Sequence, residues 1–333
     1  MEASQGGGSM GLVPVYAIDK PLGLTSHDVV ARARKVLGTR RVGHAGTLDP
    51  LATGVLLVLS EEATKLSPWL TGSDKHYLAW VALGADTPTW DAEGPIERIA
   101  DASHLTHGDV EAALPPFLAL REQVPPRHSA IKMDGERAYR AAHRGEDAPA
   151  LPARPAGYRS VTLLAFGARH DLPKAFGSTT QGWRPTEGGR SFTLPPALAD
   201  LPTALFAVQV AAGTYLRAFA RDLGEALGVP AHLAGLVRTE AGGVDLEASV
   251  PLDALAEAEG VHARDALDLP QVTLDAAQVQ RIRMGQRLPV DALPSPLDEG
   301  EAMLLDEAGK LVAIAHLAPS GMRLRRVWPE MGG

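Results

Sequence analysis

The sequence predicts an α+β protein in two parts, and three observations carry this. The chain has 333 residues, more than one domain usually holds. Strand and helix signals alternate through residues 15–240 without an internal repeat. Roughly the last 60 residues read as short strands separated by turn residues.

Taken in order, residues 1–9 (MEASQGGGS) read as a flexible tail, with Met10 as an alternative start. Ser26 can cap a helix over 27–37, in which Val29, Ala33, Val36 and Leu37 share a face and Gly38 is the stop. Val55–Leu59, Tyr77–Leu83, Val161–Phe166 and Leu205–Val210 read as strands. Residues 170–203, rich in Gly, Pro, Ser and Thr with weak periodicity, read as an inserted surface loop. Thr214 opens a helix with the apolar stripe Leu216, Ala220, Leu223 and Leu227, closed by Gly228. An acidic stretch over 241–275 marks a boundary. Beyond it Asp275 caps a short helix ending at Gly285, and Ala302–Leu305, Leu311–Ala315 and Met322–Val327 are short strands.

Composition narrows the function classes. The chain has no cysteine, which excludes disulfides, thiolate metal sites and a cysteine nucleophile. No apolar run approaches the roughly 20 residues that span a bilayer. The N-terminus lacks the basic start and apolar run of a signal peptide, so a cytoplasmic protein with no membrane partner is expected. The net charge of −8 argues at first against a polyanionic partner. However, residues 241–275 hold eight acids against Arg264 alone, and residues 276–333 balance, so residues 1–240 are nearly neutral. Within them, Lys20, Arg32, Arg34, Lys35, Arg40 and Arg41 face only Asp28, and residues 119–144 hold six cations against three acids. Each basic cluster can be a solvated helix face or a surface for a phosphate backbone, and the acidic stretch is expected to face away from such a partner.

The most informative segment is GHAGTLDPLATGVL, residues 43–56. Its glycines allow tight turns that hold Asp49 at the mouth of a cleft, and Pro50 restricts Asp49 to extended geometry. Alone, an Asp-Pro pair reads as a turn or a helix cap. As a whole, the string resembles the catalytic motif of the TruB family of bacterial tRNA pseudouridine synthases. Other segments are similar to that family in the family's order: KPLGLTS at 20–26, KHYLAWVALG at 75–84, TWDAEG at 89–94, QVPPRHSAIKMDGERAY at 123–139, GTYLRAFARDLGEALG at 213–228 and AHLAGLVRTEAG at 231–242. The resemblance covers most of residues 15–240, and the last sixty or so residues resemble a PUA domain more weakly. The chain departs from the family pattern at Val210, Ala211 and Ala212, where a Cys-Ser-Lys run is common, and at Val237, where a paired arginine is common.

The resemblance implies a pseudouridine synthase fold over residues 10–250, a mixed, largely antiparallel sheet with flanking helices. It also implies a small β-barrel-like PUA module over 271–333. The implied partner is the T stem-loop of tRNA, with no guide RNA, no cofactor, no metal and a monomeric enzyme. The implied catalytic residues are Asp49, Tyr77 and Arg217. Asp49 attacks the ribose C1′ or removes the C2′ proton, and the two routes stay open. Arg217, in the first turn of its helix with no acid at i±3 or i±4, suits an ion pair with Asp49, whereas Arg221 can pair with Glu225. Without the motif, Arg217 reads equally as a surface arginine and Tyr77 as a core residue. For the RNA, His44, Tyr215 and Leu236 match positions that meet the T loop or line the base pocket. Lys20, Arg127 and Lys132 are candidates for phosphate contacts, with His128 and Tyr139 less definite. His44 has no set of acids or histidines at metal-ligand spacing. Three rival readings are a guide-RNA-dependent relative, a tRNA-folding chaperone, and a carboxylate glycosidase needing a second acid, for which Asp91 is the nearby motif acid.

Overall fold

The structure, a computed structural model, describes residues 15–127, 151–289, 293 and 299–329, and the backbone of the short strands Lys132–Met133 and Glu136–Arg137. The chain enters on strand β1 (Val15–Lys20), turns into helix α1 (Ser26–Val36), and returns through β2 (Val42–Ala45) and β3 (Ala52–Ser60). Helix α2 (Ser67–Gly72) leads to β4 (Lys75–Leu83). Farther on come β5 (Tyr158–Ala168), β6 (Pro202–Val210), helix α3 (Leu216–Leu227) and β7 (Ala231–Ala241), and β8 (Val250–Pro251) closes an edge beside β1.

These strands form one mixed sheet in the order β5-β6-β4-β7-β3-β1-β8, with β2 paired to β3. The pairs β7–β3 and β1–β8 are parallel, and the other pairs named here are antiparallel. Side chains alternate across a strand, so β4 divides its residues between two cores. Tyr77, Ala79, Val81 and Leu83 pack with Val29 and Ala33 of α1 and with Phe219 and Leu223 of α3. Leu78, Trp80 and Ala82 face the opposite layer. With both faces covered, β3 reads ATGVLLVLS and is buried at every position.

Three features differ from expectation. The N-cap of α1 is Thr25, not Ser26, because Asp28 stands three residues after Thr25 and completes a capping box. Ser26 is left free for a longer-range bond to Leu48. Residues 170–203 are not simply a surface loop. Ala175–Gly177 pairs with Arg184–Pro185 and Arg190–Ser191, and Phe176 and Trp183 are buried against the sheet, with Phe176 edge-on to Trp80 at 5.8 Å. The aromatics that do this are too sparse to show a period, yet they cover a face that would otherwise lie open. Third, β6 already begins at Pro202, inside the range read as loop.

The C-terminal part holds β9 (Gln271–Thr273), α4 (Ala276–Arg283, capped by Asp275), β10 (Gly300–Leu305), β11 (Leu311–Ala318) and β12 (Gly321–Val327). The strands form a four-stranded sheet in sequence order, parallel only between β9 and β10, which fits a small PUA-like module. It has its own core of Val272, Ile282, Leu304 and Val312. Met303, Ile314 and Trp328 instead join the core beneath the large sheet, where Trp328 donates from Nε1 to Glu62 O at 3.1 Å.

Candidate active site

Asp49 lies on the loop between β2 and β3, and three local devices shape that loop. Gly46 takes a φ of +76°, open to glycine at little cost. Ala52 N donates to Asp49 O at 3.0 Å, which closes a turn across Pro50, and Gly23 N donates to Pro50 O at 2.8 Å. On the near side, Ser26 Oγ donates to Leu48 O at 3.0 Å and accepts from Leu48 N at 2.8 Å.

Arg217 reaches Asp49 from the first turn of α3. Its Nη2 lies 2.9 Å from Asp49 Oδ2, and its Nη1 lies 3.5 Å from Asp91 Oδ2 and donates to Thr89 O at 3.3 Å. The guanidinium is 5 % exposed, Asp91 2 % and Asp49 38 %. One buried cation thus serves a buried carboxylate and a pocket-facing one, and only Asp49 is open to a substrate. Burial raises the Asp91 carboxyl above its ordinary range, and Arg217 opposes that rise. Thr89 Oγ1 and Glu93 N also donate to Asp91 Oδ1. Asp91 is therefore occupied in holding Arg217, which removes it as the free second acid of a glycosidase. The start of α3 is held by Gln123, which accepts from Tyr215 N at 3.0 Å and donates to Tyr215 O at 3.2 Å.

Asp49, Tyr77, Tyr215, Arg217 and Leu236 line one cavity of about 280 Å³ together with Gly46, Lys75 and Arg238. That is near the lower end of small-molecule pockets, about 300 Å³, and suits a single extruded nucleoside. A larger cavity of about 820 Å³ is lined by Trp80, Phe176, Phe192 and Leu194 with Arg169, His170, Lys174 and Asp200, and includes none of the motif residues Asp49, Tyr77 and Arg217. His44 sits on β2 beside the loop, edge-on to His27 at 5.6 Å, with Nδ1 lacking a hydrogen-bond partner among the described residues. Burial, and then the charges of His27 and Arg238, push its imidazole down to about 4.

Lys20 needs correcting. Its side chain is wholly buried, and Nζ donates to Leu24 O at 2.6 Å and Pro21 O at 3.0 Å, so it ties the turn before α1 instead of meeting a phosphate. Burial lowers its ammonium to about 8. Arg127 is exposed and outside the cavity lining. The side chains of Lys132, His128 and Tyr139 lie outside the described residues. Arg221 does meet Glu225, at 3.9 Å, but it also pairs with Asp222 and lies 4.2 Å from the centre of the Trp90 ring.

Sequence reasoning passed over Lys75 and Arg238, both buried and both in the cavity wall. The signal was period 2, since Lys75 stands two residues before Tyr77, and Arg238 two after Leu236, on the same strand face. Lys75 Nζ donates to Thr71 O at 2.8 Å and Leu70 O at 3.1 Å, which places a cation at the C-terminal end of α2.

Residues 34–175 match the TruB family pseudouridylate synthase (N-terminal domain). The chain is 50 % identical over 317 residues to tRNA pseudouridine synthase B of Thermus thermophilus, covering 95 % of this chain and 99 % of the relative. It is 45 % identical over 317 residues to that of Deinococcus radiodurans, covering 95 % and 100 %, and 38 % identical over 318 residues to that of Mycobacterium tuberculosis, covering 92 % and 97 %. Among solved structures, a Cbf5-Nop10-Gar1 complex aligns with a TM-score of 0.64 at 23 % identity, covering 96 % of this chain and 86 % of the other. An H/ACA RNP bound to a substrate RNA containing 2′-deoxyuridine aligns with a TM-score of 0.62 at 21 % identity, covering 99 % and 93 %. At that identity the two structures share the fold.

Proposed function

We propose that this chain, which belongs to the TruB family of pseudouridylate synthases and is a tRNA pseudouridine synthase, isomerises the T-loop uridine at position 55 of tRNA, with Asp49 starting the reaction. The observation that carries the reading is the bridge Asp49–Arg217–Asp91 at the wall of a nucleoside-sized cavity.

The reaction breaks the bond from uracil N1 to C1′ and joins C5 to C1′. The C5 proton is lost and N1 gains one, so nothing is oxidised overall and no electron carrier is needed. Asp49 acts either by bonding to C1′ or by taking the C2′ proton, with the Arg217 guanidinium 2.9 Å from its carboxylate. Tyr77 and Leu236 flank the extruded base, which offsets part of the few kcal/mol that flipping costs. Tyr77 also takes the C5 or the C2′ proton. Tyr215 frames the cavity from the N-terminus of α3. His44, neutral at pH 7, fills the space left in the T loop. Arg127 and Lys132 supply sequence-independent phosphate contacts, and the C-terminal sheet adds an RNA-binding surface. The enzyme works in the cytoplasm without a guide RNA. This is supported by the near-full-length identity to the bacterial tRNA enzymes, against a likeness of fold alone to the H/ACA RNP.

The test is tritium release from unmodified tRNA labelled at uracil C5, with purified protein and no guide, metal or nucleotide added. Wild type should release the label stoichiometrically from position 55, and Asp49→Ala should release none. Equal release from a tRNA carrying cytidine at position 55 would move the target elsewhere. Tight binding without release would make the protein a tRNA chaperone.

A further inference from the structure

Arg238 is 1 % exposed, and among the described residues no carboxylate forms an ion pair with it. Its partners are two backbone carbonyls. Nε donates to Val55 O at 2.7 Å, and Nη2 donates to Gly46 O at 2.9 Å. Those carbonyls bracket the loop that carries Asp49, so a single planar fork spans its two ends.

The backbone of Arg238 is placed as specifically as its side chain. It stands opposite Gly54 in the parallel ladder with β3 and opposite Tyr77 in the antiparallel ladder with β4. A register shift follows at once, between Arg238 and Glu240, where a bulge increases the local twist. Gly54 approaches so closely that a Cβ there would lie 2.2 Å from Arg238 O. One residue therefore meets the strand that leaves the catalytic loop, the strand that bears Tyr77, and, through its guanidinium, both loop ends.

A guanidinium buried without a counter-ion is a poor source of stability, since an apolar side chain of similar volume avoids the desolvation cost. Its positive charge also adds to the lowering of the neighbouring His44 and Lys75. Such a group is better explained by geometry. A planar fork sets the separation of two carbonyls, whereas a lysine ammonium meets them as a point charge.

We infer that Arg238 is a positioning residue for the isomerisation: by tying Gly46 to Val55, it fixes where Asp49 stands relative to Tyr77 and the extruded base. This rests on Asp49 being the residue that starts the reaction. Arg238 lines the cavity wall, but the hydrogen bonds of its guanidinium go to Val55 O and Gly46 O and none goes to Asp49, so its loss should be felt in the chemical step more than in binding.

Arg238→Met and Arg238→Lys would be compared with wild type in three measurements: single-turnover tritium release from C5-labelled tRNA at saturating enzyme, filter binding of the same tRNA, and thermal unfolding. A catalytic group displaced by about 1 Å loses on the order of 10²-fold in rate. That loss is expected for Arg238→Met at unchanged tRNA affinity, with Arg238→Lys intermediate. If the methionine variant does not fold, the lysine variant decides by the same split between rate and affinity. A parallel fall of rate and affinity would make Arg238 an RNA contact and overturn the inference, as would an unchanged rate in a folded variant. Absence of release from wild type would instead refute the catalytic reading on which the inference rests.

Discussion

Ser26 and Leu48, 22 residues apart, exchange two hydrogen bonds, the hydroxyl donating to Leu48 O and accepting from Leu48 N. Leu48 precedes Asp49, so the first turn of α1 holds the Asp49 loop by its backbone. Ser26→Ala leaves a buried N–H and C=O without partners, at a cost of about 1–3 kcal/mol. The expected outcome is a midpoint shift of that size in urea unfolding, together with a slower single-turnover rate and unchanged tRNA affinity. An unchanged rate would show that the turn around Pro50 holds Asp49 without help from α1.

Arg217 is expected to separate chemistry from binding in another way, because it touches Asp49, the carboxylate proposed to start the reaction. Arg217→Ala removes the charge beside Asp49, and losses of such electrostatic support run to about 10²–10³-fold in rate. It also leaves Asp91 buried and unpaired, which costs about 3–5 kcal/mol when a buried pair is broken. Lower thermal stability and a much lower rate at similar affinity are therefore expected, read by calorimetry, tritium release and filter binding. An equal loss of rate and affinity would make Arg217 a backbone contact.

For Lys20 the structure and the sequence motif predict different experiments. A lysine on a phosphate contributes about one unit to the slope of log affinity against log salt. A lysine wholly buried on Pro21 O and Leu24 O contributes nothing to that slope. Lys20→Met should leave the salt dependence of tRNA binding as in wild type and alter the unfolding midpoint instead. A flatter salt slope would restore Lys20 to the RNA surface.

The sheet and the two amphipathic helices were legible because their apolar residues recur at periods 2 and 3.6. Val55–Leu59 and the stripe Leu216, Ala220, Leu223 and Leu227 lie inside the observed β3 and α3. The inserted segment was not legible. Phe176 and Trp183 find their partners on a sheet face built by residues far away in sequence, and nothing local marks them as core. At the site, Asp49 stood out through its motif. Arg238 and Lys75 did not, because a cation whose partners are backbone carbonyls has no sequence-level counterpart to pair with. Lys20 misled for the same reason, since a basic residue in a motif reads as a phosphate contact until its burial is known.

His44 provides the test by pH. Burial, His27 and Arg238 hold its folded imidazole near 4, against an ordinary value of 6.5. The unfolded chain therefore binds the extra proton between about 6.5 and 4 and the folded chain does not, so this residue costs stability as the pH falls through that window and has no effect above it. His44→Asn removes the titration. Urea unfolding at pH 7.5 and pH 5 should show wild type losing more stability on acidification than the variant, and the imidazole carbon resonance should stay in its neutral position down to pH 5. Equal losses, or an imidazole titrating near 6.5, would refute the buried neutral state. The same neutrality bears on recognition. A neutral ring can stack and hydrogen-bond in the T loop but cannot neutralise a phosphate, so His44→Asn should weaken tRNA binding by the same factor at low and at high salt.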